Sequence, residues 1–226
     1  MSSTSNNPPF PAADRELRVS EIFYSLQGES RTAGFPTVFI RLTGCPLRCG
    51  YCDTAYAFSG GERLSLSAIL QQVKSYSPRY VTVTGGEPLA QRDCWLLLKM
   101  LCDAGFTTSL ETSGAIDIGK VDKRVSTVMD IKTPGSGEVD RNRYQNLALL
   151  KRKDQLKFVI ADRADYDWSR QFIEENELAA KHEILFSPVH GECDPADMAK
   201  WILDDNLQVR MQLQLHKYLW GDERGR

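Results

Sequence analysis

An α/β fold on a largely parallel sheet is what this 226-residue chain predicts, from three observations. Short β-branched, apolar runs recur along the chain. Several of them end in Gly, Pro or polar residues, as strands do where they meet loops. Between them lie segments whose apolar residues repeat at helical spacing. Strands alternating with helices pack as βα units. The sheet then closes wholly or partly into a barrel, or stays open and doubly wound. In each case the active site belongs at the carboxyl ends of the strands.

Taken in order, residues 1–15, rich in Ser, Asn and Pro, read as a disordered arm, with a single domain over 16–226. The arm has no basic start and apolar core, so it is not a secretory signal. In "FYSLQGES" (23–30), Gln27 and Glu29 flank Gly28 as a polar turn. The run "TVFIRLTG" (37–44) is a strand, and "LSLSAILQQVKSY" a helix with Leu66, Ile69, Leu70 and Val73 on one face. "YVTVTGGEP" (80–88) follows as a strand. The helix of "DCWLLLKMLCDAG" buries Leu97, Leu98 and Leu101 and stops at Gly105. The strands "FTTSLETSG" (106–114), "VSTVMDIKTP" (125–134), "QLKFVIA" (155–161) and "EILFSPVHG" (183–191) come next. A helix over "DWSRQFIEENELAAKH" and another over "DPADMAKWILDDN" complete the pattern. In the second, Asp194 is the cap and Pro195 the first helical residue. A last strand is expected in "LQVRMQLQLHK" (207–217).

Lys plus Arg (28) nearly balance Asp plus Glu (30), for a formal net charge of -2. No basic stripe tracks a phosphate backbone, so nucleic-acid binding is not expected. No apolar run nears the ~18–20 residues that cross a membrane. A cytoplasmic protein is expected. Its six cysteines then read as thiols or a metal site rather than as disulfides. Three histidines far apart, His182, His190 and His216, argue against a histidine-rich zinc hydrolase.

Three of the cysteines crowd into "GCPLRCGYCDT" (44–54), directly after a strand. Cys45, Cys49 and Cys52 form a C-x3-C-x2-C run in a loop marked by Gly44, Pro46, Arg48 and Gly50. Thiolates favour zinc or iron–sulfur clusters, and closed sites want a fourth ligand. Cys94 and Cys102 fall among leucines on a helix and fill core, while Cys193 lies in a late loop. A fourth position left open would let an iron bind a small molecule directly. The glycines of Thr84-Gly85-Gly86-Glu87-Pro88, after a second strand, would let a ligand approach backbone closely. Arg41 alternates with Phe39 and Thr43, opposite Val38, Ile40 and Leu42. An arginine on one face of a central strand implies a buried carboxylate or phosphate partner, within the protein or on a ligand.

The cysteine spacing, with Tyr51 before the last cysteine, and the GGE stretch resemble the radical S-adenosylmethionine superfamily. Together with "SLQGES", "FIRLTG", "LETSG", "DIKTP" and "QLQLHKYLWG", they resemble more closely the 7-carboxy-7-deazaguanine synthase family, from about Leu17 onward. The resemblance implies a partial (β/α) barrel reduced in helices, a homodimer, and a flavodoxin-like electron donor. It implies a lyase that contracts 6-carboxy-5,6,7,8-tetrahydropterin to 7-carboxy-7-deazaguanine, releasing ammonia, on the route to queuosine. It implies, too, a reaction that starts with hydrogen abstraction at C6 of that substrate.

By the same resemblance, Cys45, Cys49 and Cys52 hold a [4Fe-4S] cluster. Tyr51, Cys52, Asp53, Gly86, Asp130, Ile131 and Lys132 bind S-adenosylmethionine, and Thr54 binds Mg2+. Leu26, Gln27, Gly28, Arg41, Thr84, Glu111, His216 and Arg226 hold the substrate, with Arg41 on its carboxylate; Arg41 and Thr84 are the catalytic assignments. "MDIKTPGSG" departs from the family's commoner Ser-Pro-Lys ending. Two other classes remain open: an activase that makes a glycyl radical on a partner enzyme, and a zinc-binding module using the cysteines plus a histidine.

Overall fold

The computed structural model describes residues 15–226. Residues 1–14 of the expected arm lie outside the described residues. Arg15, assigned to that arm, is instead a partly buried anchor, with Nη1 2.5 Å from Asp93 Oδ1.

The six strands that the sequence predicts between residues 37 and 191 all form, within one nine-stranded sheet. In chain order the strands are β1 (Glu16–Leu26), β2 (Pro36–Leu42), β3 (Glu62–Ser65), β4 (Tyr80–Gly85) and β5 (Thr107–Thr112). There follow β6 (Ser126–Ile131), β7 (Gln155–Ile160), β8 (Glu183–Pro188) and β9 (Arg210–Met211). Their spatial order is β3-β1-β2-β4-β5-β6-β7-β8-β9. From β2 through β9 every pairing is parallel. β1 runs antiparallel between β2 and β3. The sheet curls without closing, with β3 and β9 at its edges, which makes it a partial (β/α) barrel.

The helices are α1 (Leu66–Ser75), α2 (Cys94–Asp103), α3 (Arg163–Glu175), α4 (Pro195–Asp204) and α5 (Leu215–Trp220). Caps set their starts. Ser65 accepts the Ala68 N–H of α1, Asp162 that of Asp165 in α3, and Asp194 that of Ala196 in α4. The crossovers from β5 to β6 and from β6 to β7 carry no α-helix; the second holds only 3-10 turns.

Two expectations need correction. β1 is the longest strand, yet the sequence predicts no strand there, because Glu16, Arg18 and Glu21 interrupt its apolar pattern; the turn at 27–29 follows directly after it. The strand expected over 207–217 shrinks to two residues before the chain turns into α5. That stretch pairs at the sheet edge alone, where little apolar surface rewards extension.

Alternation divides the barrel wall into two faces. Val38, Ile40 and Leu42 of β2 and Val81 and Val83 of β4 point outward, under α1 and α2. Leu156, Phe158 and Ile160 of β7 do the same in a second cluster containing Tyr166, Ile173 and Met198 of α3 and α4. Cys94 and Cys102 are buried in the first cluster, as their leucine neighbours imply, and Cys193, expected only as a late-loop residue, is buried in the second. The opposite face is left for Arg41, Thr84, Glu111, Asp130 and Lys157, which turn into a shared cavity.

Candidate active site

That cavity, of about 670 Å³, opens at the carboxyl ends of the parallel strands. Its first wall is the loop after β2. Gly44 N–H donates to Ala57 O (2.8 Å), Gly50 N–H to Ser136 O (3.1 Å) and Cys52 N–H to Cys49 O (3.2 Å). These bonds fold the loop back so that Cys45, Cys49 and Cys52 all line the cavity as free, half-buried thiols. Leu47 N–H already points at Cys45 Sγ, 3.4 Å away, a donor suited to a thiolate. Burial pushes the Cys45 and Cys49 thiols up; Lys132 works against it at both. Among the described residues, no three His, Cys, Asp or Glu side chains converge on a single ion. Three separated thiols around one space suit a multi-iron cluster, whose ligands lie at different irons, better than one tetrahedral zinc.

The glycine turn after β4 explains how the loop fits. A Cβ on Gly86 would sit 2.4 Å from Gly44 O and 2.7 Å from the Cys45 Cβ. Only glycine lets these two strand ends pass. Glu87 is not in the cavity: it is fully buried behind the turn, taking hydrogen bonds from Thr112 Oγ1, Ser113 N, Ser113 Oγ and Leu89 N. Burial pushes its carboxyl up, against those donors. It therefore ties the glycine turn to the end of β5.

The second wall is built from β1, β2, β4 and β5. Gln27 donates from Nε2 to Glu111 Oε1 (3.2 Å) and Thr82 Oγ1 (3.1 Å), and Thr84 Oγ1 donates to Glu111 Oε2 (3.0 Å). Burial pushes the Glu111 carboxyl up, opposed by Lys157. Arg41 has an internal partner: Nε lies 2.7 Å from Glu21 Oε1, which Tyr56 Oη also reaches at 2.7 Å. The guanidinium lies 5.8 Å from the Phe23 ring centre and 5.9 Å from that of Tyr56, still on the cavity surface. Gly28 packs under His216, where a Cβ would come 2.3 Å from Nδ1. Leu215 N–H to Gly28 O (3.0 Å) holds α5 there. Leu26 completes this wall.

Below the cysteines, Lys132 Nζ lies 2.8 Å from Asp130 Oδ2. Burial pushes the Asp130 carboxyl up, but Lys132 and Lys157 outweigh it and hold it low. Tyr51 faces the same region, its phenol pushed up to about 12 by burial. Ile131 differs from its neighbours: its side chain is 3% exposed, in the second apolar cluster, so only its backbone can serve the site. Thr54 Oγ1 donates to Asp53 Oδ1 (2.8 Å), and Gln214 Nε2 to Asp53 Oδ2 (3.3 Å). Burial opposes ionisation of Asp53, but the Thr54 hydroxyl and Lys217 hold its carboxyl below the usual range. These hard oxygens at the cavity surface are of the type magnesium prefers. Arg226 borders the cavity beside Arg224, whose guanidinium lies 4.1 Å from the Tyr56 ring centre.

Of the sequence-predicted residues, all but Ile131 line this one cavity. Sequence reasoning missed Glu21, Tyr56 and Lys157. Lys157 left a signal, since a lysine interrupts the apolar run "QLKFVI" on the alternate that faces inward. Glu21 left none, because its strand was not legible.

An open parallel barrel with three thiols and a glycine turn at its carboxyl end defines a radical S-adenosylmethionine protein, and the Radical SAM superfamily model matches residues 39–127. The chain is 43% identical over 218 residues to the 7-carboxy-7-deazaguanine synthase of Chlorobaculum tepidum, covering 95% of this chain and 99% of that protein. It is 40% identical over 222 residues to the one of Koribacter versatilis, covering 92% and 98%. Among solved structures, QueE from Escherichia coli matches with a TM-score of 0.71 at 23% identity, over 89% of this chain and 95% of that one, a likeness of fold. The chain belongs to the 7-carboxy-7-deazaguanine synthase family. The cofactors of that family are a [4Fe-4S] cluster, S-adenosylmethionine and Mg2+.

Proposed function

We infer that this chain converts 6-carboxy-5,6,7,8-tetrahydropterin to 7-carboxy-7-deazaguanine and ammonia, a step toward queuosine. The reaction is redox-neutral overall, since product plus ammonia contain every atom of the substrate. The observation that carries this reading is one cavity shared by the three cysteines and by Gln27, Arg41, Thr84 and Glu111. When bound, the cluster and S-adenosylmethionine supply hydrogen-atom abstraction from carbon.

The residues provide place and charge. Cys45, Cys49 and Cys52 would hold the cluster. Tyr51, Asp53, Gly86 and the Asp130–Lys132 segment would hold S-adenosylmethionine. Thr54 would supply one oxygen to Mg2+, with substrate oxygens and water filling the rest. Across the cavity, Gln27 and Glu111 present an amide and a carboxyl that match the donor and acceptor edge of a pterin ring. Arg41, fixed by Glu21, presents its outer N–H groups to the substrate carboxylate. Thr84 orients Glu111, and His216 closes over Gly28. Arg226 borders the opening. Holding the reacting carbon this firmly is worth several orders of magnitude in rate.

A flavodoxin-like protein would supply the electron, two chains would pair as a homodimer, and the setting is cytoplasmic. Among the described residues, no helix is long and apolar enough to cross a membrane.

The test is anaerobic reconstitution with iron and sulfide, followed by addition of 6-carboxytetrahydropterin, S-adenosylmethionine, Mg2+ and reductant. A brown protein that forms the deazapurine and ammonia in equal amounts supports the reading. A brown protein that forms neither overturns it, and a colourless zinc protein overturns the cluster as well.

A further inference from the structure

Lys157 stands outside every residue assigned to the site above, yet it lines the cavity. Strand β7 sends Leu156, Phe158 and Ile160 into the helix-covered core and Lys157 the other way. Only 12% of its side chain is exposed. An ammonium so withdrawn from water needs carboxylate partners, because a buried unpaired charge is costly.

It has two, from separate parts of the chain. Lys157 Nζ lies 2.7 Å from Glu29 Oε2 and 3.4 Å from Asp130 Oδ1. Asp130 is its register partner on β6, so that contact is set by the sheet itself. Glu29 comes from the connection between β1 and β2, with no strand register to hold it. Its backbone N–H donates to Gln27 Oε1 (3.2 Å), whose amide in turn reaches Glu111. Asp130 meanwhile gives its other oxygen to Lys132, on the cysteine side. Lys157 thus joins a loop on one wall to a rigid strand on the other.

Resting on the function inferred above, we propose that Lys157 is a positioning residue that clamps the pterin wall, through Glu29, to the S-adenosylmethionine wall, through Asp130. The clamp fixes the separation of the two small molecules and couples their binding. A coupling of this kind is reciprocal: each ligand tightens the other by the same factor.

The experiment uses the full, reconstituted chain as wild type, Lys157→Met and Lys157→Arg. Without reductant, the dissociation constant of 6-carboxytetrahydropterin is measured with and without saturating S-adenosylmethionine. With reductant, the 5′-deoxyadenosine formed per deazapurine is counted. In wild type, S-adenosylmethionine should tighten pterin binding. Lys157→Met should abolish that tightening, weaken pterin binding about tenfold and raise the 5′-deoxyadenosine ratio severalfold. Lys157→Arg, which keeps the cation, should recover part of each. Iron content and melting temperature, followed alongside, report a purely structural role.

The proposal is overturned if Lys157→Met matches wild type in affinity and ratio, or if wild type binds the pterin equally with and without S-adenosylmethionine. It is also overturned if Lys157→Met loses iron or stability and Lys157→Arg recovers stability without recovering the coupling. Wild type that makes no deazapurine instead overturns the functional reading on which the clamp rests.

Discussion

Glu21 and Arg41 face each other across the antiparallel β1–β2 pair, with the carboxylate 2.7 Å from Nε. The pairing shifts register between Val19 and Glu21, which brings Glu21 opposite Arg41. The Nε edge of the guanidinium is thereby engaged by the protein, while the residue still lines the cavity. Arg41 is thus preorganised by the protein before any ligand arrives.

Substituting Arg41→Lys removes the fork geometry while keeping the charge. The KM for 6-carboxytetrahydropterin should rise by about tenfold or more, since lysine is no substitute at a forked site. Glu21→Gln should have a smaller effect in the same direction. Steady-state kinetics with each substrate varied in turn would show this. An unchanged pterin KM in Arg41→Lys would leave Arg41 with a structural role only.

Gly86→Ala introduces a methyl where Gly44 O and the Cys45 Cβ already stand. The Gly44 backbone and a Cβ fixed directly to the Cys45 backbone leave no cheap relief. The cysteine loop should shift, and iron and sulfide retained after reconstitution should fall to about half of wild type or less. Metal analysis after desalting reads this directly, with Gly50→Ala, where nothing lies within 4 Å of the added carbon, as the control.

Gly28→Ala meets the His216 ring first, 2.3 Å from Nδ1, with the His216 backbone N at 3.2 Å, so the ring must swing away and the start of α5 must give slightly. Pterin affinity should drop while iron content stays normal. The double variant Gly28→Ala/His216→Ala relieves the severe clash with the ring and should show a smaller loss than the two single effects combined, the mark of residues in contact. Additive losses would mean that the two residues do not act through one another.

The pH response follows from His216 and His182. Burial lowers the pKa of both, so the folded protein prefers the neutral imidazole. The unfolded chain titrates near 6.5. The stability contributed by keeping these rings neutral is full above that pH. It is lost as pH falls from about 6.5 through the lower folded values, because the unfolded state then binds more protons. Denaturant midpoints taken from pH 7.5 down to pH 5.5 should fall less in His182→Gln/His216→Gln than in wild type. Parallel slopes for the two proteins would refute the assignment.

Much of this was legible in the chain because it is local. The parallel strands show as apolar runs, one helix cap as Asp194-Pro195, and the cysteine loop as a spacing that folding need only bend. Residues on one strand declare their shared face through alternation, which is how Arg41 stands out from Val38, Ile40 and Leu42. What sequence could not decide are partnerships between distant positions. Glu21 opposes Arg41 only because β1 pairs antiparallel with β2. His216 meets Gly28 only because α5 returns to the first loop of the chain. Glu87 reads as part of a ligand motif, yet its carboxylate serves the backbone and hydroxyls at the end of β5. Lys157 and Glu29, ordinary surface residues by type, become a buried pair because the sheet and the loop enclose them. Local pattern is written in neighbouring residues; the pairing of charges across a cavity exists only once tertiary packing has excluded the water between them.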